Sequence, residues 1–219
     1  MSLVSEKLGL SGVVQAGLTK ARIEALTDGI FATVMTVLVL GLKPPDVNLS
    51  ESRLEFEIMG LSSNILVYAF SFVVLGVYWI GHHNQFHYVK RTDRVFLWVN
   101  IIFLLTIGFV PFSTSLLGEY PFSPTAVRVY GANLAVTGLA LYAVWWYATS
   151  RHRLVEKDLD PHIVSLAKRR TIIGPIVSLL GIGLSFLDTR ISLLLYLLLI
   201  PFFIRPSHID IHFRGGTHD

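Results

Sequence analysis

Apolar runs of roughly membrane-spanning length recur along this sequence, separated by short segments that carry most of its charge. Judged against the ~20 residues that a helix needs to cross the hydrocarbon core, they predict six spans, near residues 22–42, 56–82, 94–116, 125–148, 171–187 and 190–204. Start and stop signals support these divisions. Ser52 with Glu55 reads as a capping box, and Ser123-Pro124 and Asp160-Pro161 each offer an N-cap followed by proline at the first helical position. Lys43-Pro44-Pro45 ends the first helix. The last two runs are short, each contains a proline (Pro175, Pro201), and Asp188-Thr189-Arg190 between them reads as a tight turn, which suits a tilted hairpin.

The first run, Arg22 to Leu42, differs from the others in carrying polar residues at regular intervals. Residues three and four apart share one face of a helix, so Leu26, Gly29, Thr33, Thr36/Val37 and Leu40 form a stripe. Its middle is too polar for lipid and its ends too apolar for a solvated surface, which fits a narrow, partly wetted path better than a packing seam. Asp28, with Thr27, Thr33 and Thr36 on the same helix, marks a functional site by default, because ionisable and polar groups inside a membrane are costly. The ordinary alternative for the threonines is a hydroxyl bonded back to the carbonyl one turn earlier.

Composition agrees with an integral membrane protein: 53% of the 219 residues are apolar and only 15% charged, against about a quarter in soluble domains. Mean hydropathy is +0.60. The net charge of +3 does not point to nucleic acid, because the basic residues lie between apolar runs rather than in one patch. All of the 18 Lys and Arg except Lys43, Arg53, Arg128 and Arg190 fall on one side of the predicted topology, which makes that side cytoplasmic and places both termini there. Trp145, Trp146 and Tyr147 fit an interfacial aromatic belt on the same side. The first 18 residues contain no coherent signal-peptide core, so the first helix is expected to serve as its own insertion signal. No repeat is evident, and the chain reads as a single domain over 1–219, with a short cytoplasmic segment 1–20 and a cytoplasmic tail 205–219.

Other candidates for chemistry are few. There is no cysteine, hence no disulfide or thiolate metal site. His82, His83 and His87 cluster at the end of the second run, with His83 and His87 one turn apart as in a metal site. No carboxylate partner lies in that segment, so helix-terminal histidines bonded to neighbouring helices are the plainer reading. His208, Asp210 and His212 in the tail read as solvated. Glu119 reads as a surface carboxylate at the outer end of the third run, with an ion-attracting mouth as the alternative. Gly131, Ala135 and Gly138 read as helix-packing positions.

Three blocks carry a resemblance. Arg22-x-x-x-Leu26-Thr27-Asp28-Gly29 resembles the R-x-x-x-F-S-D-G signature opening the first helix of the bacterial transmembrane protein 175 family, relatives of the lysosomal potassium leak channel. Trp79-Ile-Gly-His82-His83-Asn84-Gln85-Phe86 is similar to its W-x-x-H-H segment, and Asn100 through Tyr120 resembles its third-helix pattern. The resemblance covers the first three helices well and the last three by hydropathy alone. It implies an all-α, six-helix subunit in a homotetramer, embedded in the lipid bilayer of the inner (plasma) membrane. It further implies a central path for potassium and other monovalent cations, lined by the first helix, without catalysis or cofactor. No T-V-G-Y-G run is present, so a carbonyl filter of the usual kind is not expected. Carried over to this chain, the family's constriction falls on Thr33, Thr36, Val37 and Leu40, with Leu40 and Val37 as an apolar neck and the threonines offering oxygens. Thr33 departs from the family's Ile or Leu, and Leu26-Thr27 from its Phe-Ser. Arg22, Thr27, Asp28, Trp79 and His82 are expected to knit the first three helices at their cytoplasmic ends, with Asp28 a buried charge near Arg22. Two other classes stay open: a membrane metal or haem enzyme using His82, His83 and His87, and a proton-coupled transporter using Asp28.

Overall fold

The computed structural model describes residues 19–45 and 49–205; the segment 1–18, most of the tail 205–219, and with them Lys7, His208, Asp210, His212 and Arg214, lie outside the described residues. Helix α1 (Lys20–Val37) tightens into a 3₁₀ turn over Leu38–Gly41 before Pro44 and Pro45. The others are α2 (Glu51–Gly60), α3 (Ser62–Tyr88), α4 (Arg94–Gly108), α5 (Val110–Glu119), α6 (Pro124–Thr149), α7 (Pro161–Leu184) and α8 (Thr189–Ile204).

Four of these rods are long and apolar enough to cross a membrane: Lys20–Gly41, Ser62–Tyr88, Arg94–Glu119 and Pro124–His152. The third is α4 and α5 in line, interrupted at Phe109 because Pro111 lacks the N–H that would continue the ladder. Two expected boundaries change. The second run does not start from a Ser52 capping box: Ser50 is the extended residue before the helix, α2 is a short separate helix with no buried residue, and the spanning rod begins only at Ser62. The fifth helix starts at the expected Asp160-Pro161 signal, where the Asp160 carboxylate accepts from the His162 N–H, and so reaches ten residues before the apolar run expected as its span. Lys168, Arg169 and Arg170 interrupt its hydropathy but not its backbone, since lysine and arginine are good helix formers. Asp188 caps α8 by accepting from the Arg190 N–H, and α7 and α8 pack as a hairpin.

The core lies where α1, α3 and α4 meet, around Phe31, Leu75, Phe86, Phe96, Phe103 and Ile107. A second cluster joins α3, α6 and α8 through Val74, Tyr130, Leu134 and Tyr196. Large apolar side chains such as Leu66, Leu105 and Leu198 face outward, as lipid contact requires. Polar bonds tie the helices inside. Ser71 meets the Tyr130 hydroxyl at 2.9 Å, Tyr78 donates to the Leu134 carbonyl at 2.8 Å, and Asn133 links the Thr106 carbonyl to Ser113. Such interhelical bonds contribute where no water competes.

Gly131, Ala135 and Gly138 are buried on α6 at its seam with α7 and α8. A Cβ at Gly138 would lie 2.6 Å from the Pro175 ring, and one at Gly131 or Gly181 would overlap Tyr196. Tyr196 is therefore wedged between two glycines and is 1% exposed. Gly181→Ala is expected to destabilise the α6–α7–α8 packing by about 1–3 kcal/mol, as overpacking does. Thermal unfolding in detergent reads it, and an unchanged midpoint would show that the Tyr196 ring moves aside freely.

Candidate functional site

α1 has two faces. Ile23, Thr27, Phe31, Val34 and Leu38 are buried against α3 and α4. Leu26, Gly29, Thr33, Thr36, Val37 and Leu40, the stripe expected from the spacing, are all exposed, Leu40 at 75%. Nothing in the subunit covers that face among the described residues. The Thr33 hydroxyl donates to the Gly29 carbonyl at 2.8 Å, and the Thr36 hydroxyl to the Thr33 carbonyl at 2.7 Å. These are the back-bonds expected as the ordinary alternative, and they use only the hydroxyl hydrogens. The oxygen lone pairs remain acceptors on an exposed face.

One level lower the helices are tied by a short buried chain. The Asn100 amide, on α4, donates to the Thr27 hydroxyl of α1 at 3.2 Å, and its oxygen faces His82 Nε2 of α3 at 2.9 Å. That pairing requires the proton on Nε2, because Asn100 has already turned its nitrogen to Thr27. The imidazole is clamped between Phe86 at 4.0 Å and Phe103 at 5.5 Å. Beside this chain and outside it, the Trp79 indole N–H donates to Asp28 at 2.8 Å, and the Trp79 ring stacks on His83.

Thr27, Asp28, Trp79 and His82 thus come together, and two expectations change. Asp28 is exposed rather than buried, and no hydrogen bond or ion pair joins the Arg22 side chain to it among the described residues. Arg22 and Asp28 are six residues apart, which puts them about 120° apart around α1 and about 9 Å apart along it. The indole supplies the partner instead. Asp28→Asn keeps an oxygen for Trp79 and is expected to leave the unfolding midpoint within a few degrees of wild type, as exposed polar substitutions do. Thermal unfolding in detergent checks this, and failure to fold would mean that the charge itself is required.

His82, His83 and His87 do not converge. His82 is buried toward α4, His83 lies exposed on Trp79, and His87 meets Tyr88 edge-on. No three His, Asp or Glu side chains are grouped for a metal among the described residues. Glu119 is exposed at the end of α5. Sequence reasoning missed Asn100 as the junction, although an Asn within an apolar run is a signal of the same kind as Asp28. It also missed Asp93, which caps α4 by accepting from the Phe96 N–H and holds the Tyr147 hydroxyl at 2.9 Å.

The family model described as "Endosomal/lysosomal potassium channel TMEM175" matches residues 22–111, which contain both levels of this site. A protein named as a potassium channel from Chamaesiphon minutus is 33% identical over 191 residues, covering 85% of this chain and 94% of that one. A potassium channel of Streptomyces collinus is 31% identical, covering 78% and 85%. Among solved structures, the lysosomal potassium-selective channel TMEM175 homologue from Chamaesiphon minutus superposes with a TM-score of 0.75 at 30% identity, over 84% of this chain and 95% of that one.

Proposed function

The chain belongs to the TMEM175 family, and from that premise we propose that it forms a potassium-permeable cation channel whose ions pass along the uncovered face of α1. The observation that carries this reading is the division of α1. Its inner face is buried against α3 and α4, while the Thr33, Thr36, Val37 and Leu40 face is left without cover by its own subunit.

One stripe cannot enclose a path, so four copies closing it by cyclic symmetry complete the proposal, each with six membrane-crossing helices when α7 and α8 are counted. Leu40 and Val37 then form an apolar neck, and Thr33 and Thr36 turn oxygen lone pairs toward a mostly hydrated cation. No carbonyl cage is involved. The relatives bear the names of channels, and the chain is not an enzyme. A proton-carrier role for Asp28 is not favoured, since its carboxylate is held by the Trp79 indole. The excess of Lys and Arg on one side supports cytoplasmic termini in a plasma membrane.

The test is reconstitution in liposomes with potassium and sodium flux measured under matched gradients, together with light scattering of the detergent-solubilised protein. The expected result is potassium flux above sodium flux from a tetramer. A monomer without flux would overturn the reading.

A further inference from the structure

A cavity of about 320 Å³ lies away from α1, in a groove between α3, α6, α7 and α8. That volume falls at the lower end of small-molecule sites. The groove opens at the surface of the bundle, where Ile80 and Ile204 on its rim are more than half exposed. Along α7 it runs from Arg170 to Ser178, about 12 Å at 1.5 Å per residue, close to the ~15 Å depth of one leaflet of a ~30 Å core. Most of the wall is aliphatic or aromatic.

Its polar features are concentrated at one end. Arg170 stands there, with Lys168 and Arg169 immediately before it on α7, and its guanidinium donates to the Phe203 carbonyl at 2.7 Å and to the Arg205 carbonyl at 3.0 Å. Beside it, Gln85 of α3 donates to the Thr171 hydroxyl at 3.1 Å. Thr171 gives its own hydrogen to the Ala167 carbonyl, so it can only accept from Gln85, and this fixes the amide with its nitrogen toward Thr171. Gln85 Oε1 is consequently turned elsewhere and has no partner, although the residue is only 5% exposed. Two turns further along the groove the Ser178 hydroxyl, 1% exposed, is also without a partner. A buried acceptor left unmet costs about 1–3 kcal/mol, which makes both atoms positions for an occupant.

We propose that this groove binds a phospholipid whose headgroup is anionic and carries hydroxyls, of the phosphatidylglycerol class, with one acyl chain lying along the apolar wall. Arg170, the one residue of the basic triplet that lines the groove, takes the phosphodiester, as basic pockets between membrane helices do, while Lys168 and Arg169 add positive potential at the same level. Gln85 Oε1 accepts from a headgroup hydroxyl, and Ser178 donates to an ester carbonyl. An anion without donors leaves Gln85 unmet, and a zwitterionic headgroup loses the net attraction to Arg170 and the positive potential around it.

Delipidated protein in nonionic detergent, titrated with defined lipids and read by native mass spectrometry, tests this. The expected result is saturation at one phosphatidylglycerol per chain, with affinity at least about tenfold above phosphatidylcholine and severalfold above phosphatidylethanol, which has the same charge and no hydroxyl. Gln85→Leu should abolish the preference over phosphatidylethanol while keeping that over phosphatidylcholine. A Cβ at Gly174 meets only the Phe203 ring, at 3.6 Å, so Gly174→Leu extends into the groove and should lower phosphatidylglycerol retention about tenfold. Should that variant not fold, Gln85→Leu still decides the question. Equal binding of phosphatidylcholine, equal binding of phosphatidylethanol by wild type, or displacement of the lipid by inorganic phosphate alone would overturn the proposal.

Discussion

Asn100→Leu is expected to lower the stability of the protein by about 2 kcal/mol, two interhelical bonds near the upper range measured for such bonds in membranes. The reason is what is left behind. Leucine fills a similar volume but offers nothing to His82 Nε2 or to the Thr27 hydroxyl, which Asn100 now serves at 2.9 Å and 3.2 Å. Asn100 is 0% exposed and the His82 ring lies between Phe86 and Phe103, so water cannot replace the lost partner. For a chain of this size the loss corresponds to about 4–8 °C in the unfolding midpoint. Light scattering should report less intact assembly as α1 loosens from α3 and α4. The double variant His82→Leu/Asn100→Leu should recover part of the loss, since removing both partners leaves fewer orphaned groups than removing one. A midpoint unchanged in the single variant would show that His82 and Thr27 find other partners.

The same chain shows which parts of this protein are legible in its sequence. The α1 stripe is readable from spacing alone, because helical periodicity sorts 26, 29, 33, 36/37 and 40 to one face whatever packs on the other. The long apolar rods are readable because their length is set by the bilayer. Partners across helices are not. Nothing in the spacing of Asp28 says that its donor is Trp79, fifty-one residues away, rather than Arg22 on the same helix. Charge pairing suggested Arg22, and helical phase excludes it. The start of α7 was legible in the Asp160-Pro161 signal but not in the apolar run, because hydropathy reports where lipid begins whereas the Asp160 cap reports where the helix begins, and the basic triplet separates the two. At the second run the Ser52 and Glu55 spacing satisfied a capping box, but Ser50 takes the extended backbone of the N-cap and Ser52 already lies inside the helix.

Thr33→Ile is expected to lower single-channel conductance about tenfold, the equivalent of ~1.4 kcal/mol added to the barrier for ion passage. In the proposed path Thr33 contributes one oxygen from each of four chains. Its hydrogen is already donated to Gly29, so the lone pairs that a cation needs are the part of the hydroxyl left outward. Isoleucine removes all four oxygens and adds a second apolar ring one turn below Val37. A bare cation in an apolar medium costs tens of kcal/mol by Born estimates. A small fraction of that, unmet where hydration water is squeezed out, is enough for the tenfold loss. Potassium preference over sodium should change less than current, because Thr36, the next oxygen along the stripe, is untouched. Thr33→Ala separates the causes: it removes the oxygens without adding bulk, so a wider and wetter ring should keep conductance near wild type while isoleucine does not. Conductance of Thr33→Ile equal to or above wild type would show that Thr33 does not face the ions, and would rotate the assigned face of α1 away from the path.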